Sequence, residues 1–148
     1  MAYCTQSDIL TEISEKELAE LTSEVDGHID AAVVTQMIDN ADAEIDGYVG
    51  KKYSVPLASP IPKLIKTCSI RMTVYNLYAR RAARLGGINE VIEQNYKNSV
   101  KMLENISKGL LSLGVDPPPA APSTGQPKFE TGTDVANRDF TKDSMSGL

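Results

Sequence analysis

The stretch "DAEIDGYVGKKYSVPL", residues 42–57, decides how the fold of this chain is interpreted. Three acidic residues and a glycine stand at the spacing that opens a calcium-binding loop, D-x-D-x-D-G: Asp42, Glu44, Asp46 and Gly47. The twelfth position of such a loop is a bidentate Glu, but Tyr53 occupies it here, and Gly50 at the ninth position offers no side chain. The sequence therefore favours the alternative, in which these residues end a helix that runs into a proline-containing loop.

The residues before this loop predict a long helix over about residues 31–50, with Asp30 as its N-cap. Its apolar residues recur at spacings of three and four, which places them on one helical face: Ala31, Val34, Ile38, Ala41, Ile45 and Tyr48. The acidic residues lie mainly off that face: Asp39, Asp42, Glu44 and Asp46. We therefore expect this helix to bury one side and to expose an acidic one.

Two short helices are predicted before the long one. Thr5 followed by Asp8, and Ser14 followed by Glu17, have the spacing of helix-capping residues, and the second pair forms a capping box of the S-x-x-E type. The second helix extends to about Thr22. The residues that these two helices are expected to bury are Ile9, Leu10, Ile13, Leu18 and Leu21.

Two longer helices are predicted after the loop. Prolines keep residues 54–62 extended, and Pro62 suits the first turn of a helix that the glycines at 86–87 end. The apolar face of that helix comprises Ile65, Cys68, Met72, Tyr75, Ala79 and Ala82. The last helix runs over about residues 89–112 and ends at Gly114. Its inward-facing residues are Ile92, Tyr96, Val100, Leu103, Ile106 and Leu110.

These patterns predict an all-α fold, in which two short N-terminal helices and three longer helices form a small bundle over residues 1–113. Residues 114–148 are rich in Pro, Gly, Ser and Thr and show no periodicity, so this segment is not expected to fold alone. We expect it to form an extended Pro-rich C-terminal arm that neighbouring subunits order.

The charge of the chain is distributed unevenly along the sequence. Residues 1–50 hold 12 acidic residues and one basic residue, Lys16, whereas residues 51–113 hold 11 basic and three acidic ones. Residues 114–148 hold five acidic and three basic residues, which gives the whole chain its net charge of −5. Either the two segments fold against each other and neutralise their charges, or the acidic face of one copy meets the basic face of the next, head to tail, in a ring.

The chain carries no motif that predicts an enzyme, a metal site or a cofactor. His28 is the only histidine, and no Cys or second His is placed to complete a metal site or a catalytic triad with it. The two cysteines, Cys4 and Cys68, lie far apart, as is typical of reduced thiols in a cytoplasmic chain. No apolar run approaches the length of a membrane span and the N-terminus lacks a signal-peptide pattern, so we expect no membrane association.

Three arginines near the end of a predicted helix form the main basic cluster: Arg80, Arg81 and Arg84. They fit three roles, namely favourable placement at the negative end of a helix dipole, docking against an acidic neighbour, and contact with DNA.

Several segments together resemble the Mu-like phage head–tail connector, or adaptor, family. "DAEIDGYVGKKYSVPL" followed by "IPKLIKTCSIRMTVYNLY" is similar to the family's pattern of a helix end, a basic-Tyr-x-x-P-L loop and a helix ending in Y-x-L-Y. The opening "MAYCTQSDIL", the last helix "NYKNSVKMLENISKGLLSLG" and the terminus "RDFTKDSMSGL" also look like the corresponding parts of the family. The resemblance covers nearly the whole chain.

The resemblance implies a structural virion protein in the neck of a phage particle, assembled in the host cytoplasm. Such proteins form a homo-oligomeric ring, commonly twelve-fold, beneath the portal protein. The ring extends the DNA channel, through which genomic DNA passes without sequence-specific binding, and meets the next neck or tail-completion protein. Two alternatives remain open: a small helical regulator that binds a partner or nucleic acid, and a tail-completion or terminator ring protein.

Two sets of residues are the candidate sites under this interpretation. The subunit or portal interface would comprise Tyr48, Tyr53, Pro56, Leu57, Arg80, Arg81, Arg84, Phe129, Arg138, Phe140, Met145 and Leu148. The acids that would face the channel are Asp39, Asp42, Glu44 and Asp46, where like charge keeps DNA from adhering.

Overall fold

The computed structural model describes residues 2–23 and 27–115, except for the side chains of residues 83–85. Its elements are five helices: α1 (Gln6–Ile9), α2 (Glu15–Thr22), α3 (Ala31–Val49), α4 (Lys63–Leu85) and α5 (Glu90–Lys108). No strand occurs in the part of the chain that the structure describes, so the predicted all-α class with two short and three longer helices is confirmed. The division into a bundle and a C-terminal arm stays a prediction, because residues 116–148 lie outside the described residues.

Helix α4 is the centre of the bundle, since it packs against each of the other four helices. Two apolar clusters lie along it. The first joins α4 to the C-terminal halves of α3 and α5 and contains Ile45, Val49, Ile65, Met72, Leu103 and Ile106. The second joins α4 to α1, α2 and the start of α3 and contains Ile9, Leu18, Val34, Ile38 and Leu77. A fully buried side chain of this type contributes about 1.5–3 kcal/mol to stability, so these two clusters supply the main driving force for folding.

The buried surface of α4 is wider than its predicted apolar face. Ser69, Thr73 and Leu77 are 0% exposed although they lie outside the predicted face, and Ala79 within that face is exposed. A helix contacted on several sides buries more of its circumference than the single stripe of a surface helix. Such a helix accepts small polar residues where a neighbouring element supplies a hydrogen-bond partner.

The predicted N-caps hold, with one difference in detail. Thr5 and Asp8 form a reciprocal capping box at α1, and the Asp30 side chain accepts hydrogen bonds from the first turn of α3. At α2 the hydroxyl of Ser14 accepts a hydrogen bond from the N–H of Glu17 at 3.3 Å. The Glu17 carboxylate, which would complete that box, instead accepts a hydrogen bond from the hydroxyl of Tyr78 on α4. A tertiary contact thus replaces the second half of a local motif.

Helix α5 is shorter than predicted. It ends at Lys108, and its C-cap is Gly109 in the left-handed conformation (φ 76°), with the N–H groups of Gly109 and Leu110 both bonded to the carbonyl of Asn105. The prediction that Gly114 ends the helix and that Leu110 faces inward is therefore wrong, and the Leu110 side chain is 76% exposed. The first available glycine ends the helix because it adopts the left-handed conformation without the penalty that a Cβ brings.

Two glycine substitutions test this end of the bundle. Gly109→Ala is expected to lower the free energy of unfolding by about 1–2 kcal/mol, because the left-handed backbone disfavours a Cβ. That Cβ would also overlap the Nζ atom of Lys52, so the lysine side chain must move. The matched control, Gly47→Ala in α3, meets nothing within 4 Å. It is expected to raise the free energy of unfolding by about 0.5–1 kcal/mol. Urea unfolding followed by circular dichroism measures both; destabilisation of the two variants by equal amounts would contradict this account of α5.

Candidate docking site

The loop over residues 50–62 is fastened to the bundle by Tyr3. The backbone N–H of Tyr3 donates to Oδ2 of Asp42 at 2.8 Å. Its hydroxyl donates a hydrogen bond to Asp46 and accepts one from the N–H of Leu57 at 2.9 Å. Burial and the hydrogen bond to Asp46 raise the pKa of Tyr3 to about 12, so the hydroxyl stays protonated and remains a donor. One side chain thus joins the N-terminal segment, helix α3 and the loop.

Asp42 is the buried end of this network. It is only 7% exposed, and besides Tyr3 it accepts a hydrogen bond from Oγ of Ser69 on α4 at 2.7 Å. Burial raises the pKa of the Asp42 carboxyl, while the hydrogen bonds from Ser69 and Tyr3 act in the opposite direction. The expectation that Asp42 faces a channel is therefore wrong for this fold. Its position beside the apolar face of α3 is covered by α4 and by the N-terminal segment.

A second tyrosine fastens the loop to the chain that follows α5. Tyr53 is 7% exposed, and its hydroxyl accepts a hydrogen bond from the N–H of Leu113 at 3.2 Å. Leu57 is 4% exposed and belongs to the first apolar cluster. Tyr53 and Leu57, both predicted interface residues, therefore hold the loop from inside and are not its contact surface.

The outer side of the loop carries the residues that a partner can reach. Pro56 is exposed, as a docking residue must be, and the neighbouring Val55 is 39% exposed. Val115 lies in the groove formed by Tyr53, Pro56 and Leu57, so the chain after α5 reaches the same surface. The exposed side of the loop therefore combines the apolar residues Val55 and Pro56 with the lysines Lys51 and Lys52.

Tyr48 lies on a different surface, the groove between α3 and α5. It is half-buried there beside Glu44 and Tyr96. The hydroxyl of Tyr96 donates to Oε1 of Glu44 at 2.9 Å, and the Tyr96 ring stacks on Tyr75 with centroids 4.1 Å apart. Burial and this hydrogen bond raise the pKa of Tyr96 to about 12. Glu44 is therefore engaged within the chain.

The predicted channel acids separate into three environments. Asp39 is exposed, Asp42 is buried, and Glu44 and Asp46 are half-buried and each accept a tyrosine hydroxyl. Of the four, Asp39 is the one whose carboxylate has the open surface position that the prediction required.

Arg80 and Arg81 donate hydrogen bonds to backbone carbonyls at the C-terminal end of α2. Arg80 Nη1 donates to the carbonyl of Leu21 at 3.2 Å, and Arg81 donates to the carbonyl of Ser23. Cations at the C-terminus of a helix bond its unpaired carbonyls and oppose the negative end of its dipole. Arg81 is 9% exposed, so the prediction of a surface docking role for Arg81 is wrong. The helix-end role that the sequence suggested is present, but it serves α2 instead of the arginines' own helix.

The remaining predicted interface residues cannot be placed in this fold. The side chain of Arg84 lies outside the described residues. The same is true of the C-terminal set, Phe129, Arg138, Phe140, Met145 and Leu148.

Within residues 2–23 and 27–115, no group of three or more His, Cys, Asp or Glu side chains is arranged to hold a metal ion. None of the helices in this part of the chain combines the length and the apolar character that a membrane crossing requires.

Sequence reasoning missed Tyr3 and Ser69, the partners of Asp42. The sequence does place Tyr3 in a short apolar segment before α1, which hinted at burial, but its partners Asp42 and Asp46 are 39 and 43 residues away. Ser69 follows Cys68 on the predicted apolar face of α4, and a serine beside a buried face is a weak sign of a buried acceptor nearby.

The fold and this site define a small helical protein whose distinctive feature is a loop fixed by tyrosines and a buried carboxylate. The model of the family described as "Bacteriophage Mu, Gp36" matches residues 3–131, and the chain belongs to that family. The matched segment begins at Tyr3, the residue that fastens the loop.

Two phage-derived relatives agree with this assignment. The chain is 28% identical over 136 residues to gene product J of Escherichia phage Mu, which covers 90% of this chain and 92% of that protein. It is also 28% identical over 87 residues to the Mu-like prophage FluMu protein gp36 of Haemophilus influenzae, across 59% of this chain and 57% of that protein. The predicted resemblance to Mu-like phage proteins is confirmed at the level of the family.

Removing the buried carboxylate tests the network. Asp42→Ala leaves the N–H of Tyr3 buried without an acceptor and is expected to lower the free energy of unfolding by about 2 kcal/mol. The matched control is Asp39→Ala, which removes an exposed carboxylate of the same helix. This variant is expected to change the free energy of unfolding by less than about 0.5 kcal/mol. Equal free energies of unfolding for the two variants, measured with urea, would contradict the network.

The raised pKa of Asp42 predicts a pH dependence. In the folded state this carboxyl binds its proton more tightly than in the unfolded state, whose pKa is near the ordinary 3.8. Protonation of Asp42 therefore stabilises the folded state to its full extent below the unfolded-state pKa. This stabilisation is lost as the pH rises through the pKa of the folded state.

The comparison is between the parent chain and Asp42→Asn, unfolded with urea from about pH 3 to pH 7. The parent minus variant difference in free energy of unfolding is expected to fall with rising pH. Asp8, whose pKa is lowered by Lys66, is present in both proteins and cancels. A difference that is independent of pH, or that rises with pH, would refute the assignment.

Proposed function

We propose that this chain is a structural protein of the phage particle, a head–tail connector in its neck. Copies of it form a ring under the portal protein, extend the DNA channel and join the capsid to the tail. Membership of a bacteriophage Mu protein family supports a role in a phage. The single structural observation that carries the proposal is the loop over residues 50–62, which is fixed on its inner side and exposes apolar and basic residues on its outer side.

The fixed loop suits docking for a thermodynamic reason. Tyr3, Tyr53 and Leu57 hold it in one conformation before any partner arrives, so binding costs less conformational entropy than ordering a free loop. Large aliphatic side chains are exposed on the loop and on the chain after α5: Val55, Leu110, Leu111 and Val115. Grouped exposed apolar residues are typical of protein–protein contact surfaces.

The C-terminal arm has the length to reach a neighbour. A segment of ~15 extended residues spans up to ~50 Å, at ~3.3 Å per residue. We propose that residues 114–148 lie along an adjacent subunit or the portal, with Phe129, Phe140, Met145 and Leu148 as apolar anchors and Arg138 beside them. Asp39 and the other exposed acids of the first 50 residues would repel the DNA that passes through the channel.

The direct test is the mass, by light scattering, of this chain mixed with the portal ring of the same phage. The expected result is a mass increase of about one copy per portal subunit, because a ring that continues the portal matches its symmetry. Val55→Ser should weaken this assembly because it removes an apolar contact from the docking loop. Ala43→Ser, an exposed position on the outer side of α3, is the matched control and should leave it unchanged.

Two other results of the portal-binding measurement would support a different function. A chain that leaves the mass of the portal ring unchanged and retards DNA at physiological salt would be a helical regulator. A chain that leaves the portal unchanged but joins isolated tails would be a tail-completion or terminator protein.

A further inference from the structure

Two separate surfaces of the helical bundle, an end with four exposed lysines and a groove lined by two glutamates, each combine their charge with exposed apolar residues. We propose that the basic end of one copy docks into an acidic groove of a second copy, head to tail. This inference rests on the proposed ring and specifies the surfaces that close it. The basic end comprises Lys51, Lys52, Lys63, Lys108, Leu110 and Val115. The acidic groove comprises Glu12, Glu17, Tyr78, Asn89, Val91 and Ile92.

The lysines of the basic end come from three helix termini that meet. Lys51 and Lys52 follow α3, Lys63 begins α4 and Lys108 ends α5. The chain after α5 is held at this end by the hydrogen bond from the N–H of Leu113 to the hydroxyl of Tyr53, and the Lys52 side chain lies beside Gly109. All four lysines are exposed, and Lys108 pairs with Glu104 of its own helix at 3.3 Å.

Apolar side chains lie among these lysines. Leu110 is 76% exposed, and Leu111 and Val115 are 37% and 38% exposed. An apolar centre with a charged rim is the usual composition of a protein–protein contact.

The acidic groove has the complementary character. Glu12 and Glu17 line it from the segment around α2, and Val91, which is 65% exposed, lines it from the start of α5. Arg71 also lines the groove, so its two carboxylates, Glu12 and Glu17, outnumber its one cation. Ile92 supplies a half-buried apolar floor.

The two surfaces are far apart on the molecule. Along α4, Tyr78 lies ~22 Å from Lys63, and along α5, Val91 lies ~25 Å from Lys108, at ~1.5 Å per residue. A contact between two different surfaces of identical subunits is heterologous, so it produces a ring if the rotation closes.

A second copy is the occupant that the charges favour. Part of the charge asymmetry is neutralised within the chain, because Lys66 pairs with Asp8 at 2.8 Å. The lysines of the basic end lie elsewhere and remain exposed. The same chain presents a groove of opposite charge and similar apolar character. The lysines of one copy therefore complement the glutamates in the groove of the next.

Cross-linking tests the contact. Leu110→Cys and Val91→Cys are combined in one chain and treated with a short bismaleimide in the presence of the portal ring. Both positions are exposed, whereas the native Cys4 and Cys68 are 2% and 1% exposed and are not expected to react. The double variant should give a ladder of multimers, because every copy is then linked to the next, and each single variant should remain monomeric on denaturing gels.

Charge reversal supplies the second measurement. Lys51→Glu in the double-cysteine chain should reduce the yield of the ladder by about fivefold, since an attractive surface pair becomes repulsive. Lys101→Glu is the matched control. It makes the same change of charge at an exposed lysine on α5 away from both surfaces, and it should leave the yield unchanged.

The outcomes separate this inference from the proposed function. A normal mass increase on the portal without a ladder overturns the contact and leaves the connector proposal standing. Dimers formed by Leu110→Cys alone also overturn it, because they indicate a contact between like surfaces. If the chain does not bind the portal, the same cross-linking at high chain concentration decides: a ladder supports the contact and its absence refutes it.

Discussion

A buried carboxylate that accepts two hydrogen bonds is the constraint on which the rest of this structure depends. Asp42 accepts one bond from the N–H of Tyr3 and one from the hydroxyl of Ser69. Removing a carboxylate from water is costly unless donors replace the lost solvent, so these two partners must be in place when the bundle forms. Their placement fixes Tyr3, whose hydroxyl then holds Asp46 and the loop at Leu57. The acidic residues that resemble a calcium loop in sequence thus serve as hydrogen-bond acceptors for tyrosine and serine.

The fixed loop has consequences for the surface of the molecule. With Tyr53 and Leu57 turned inward, the loop exposes Val55 and Pro56 and places the Lys52 side chain beside Gly109 at the end of α5. Asp8 of α1 is paired with Lys66 near the start of α4, but Glu17 of α2 lies near the other end of α4, where it accepts a hydrogen bond from Tyr78. The uneven charge of the sequence therefore becomes a spatial separation of charge, and this separation underlies the proposed head-to-tail contact.

The helices could be predicted from the sequence because their signals are local. Apolar residues three and four apart mark α3, α4 and α5, and caps such as Thr5 and Asp30 contact residues within one turn. The end of α5 was misplaced because Gly109 and Gly114 both suit a helix terminus, and both have positive φ in the structure. The local signal permits either glycine, and the apolar spacing continues from Ile106 to Leu110, so the sequence alone places Leu110 in the core.

The candidate site was predicted less well because its interactions are long-range. The burial of Asp42 depends on Tyr3 and Ser69, which are 39 and 27 residues away. Arg81 likewise bonds Ser23 across 58 residues. A periodic pattern shows which side of a helix is apolar, but it does not show which polar residue near that side will meet a donor on another helix.

The most direct test of the central claim is amide hydrogen exchange of Leu57 in the parent chain and in Tyr3→Phe. The substitution removes only the hydroxyl that accepts the Leu57 N–H, and the Tyr3 backbone bond to Asp42 is retained. The account predicts that Leu57 exchanges about tenfold faster in Tyr3→Phe, while Met72 in the middle of α4 keeps its protection. Equal exchange of Leu57 in the two proteins would show that Tyr3 does not hold the loop and would contradict the account.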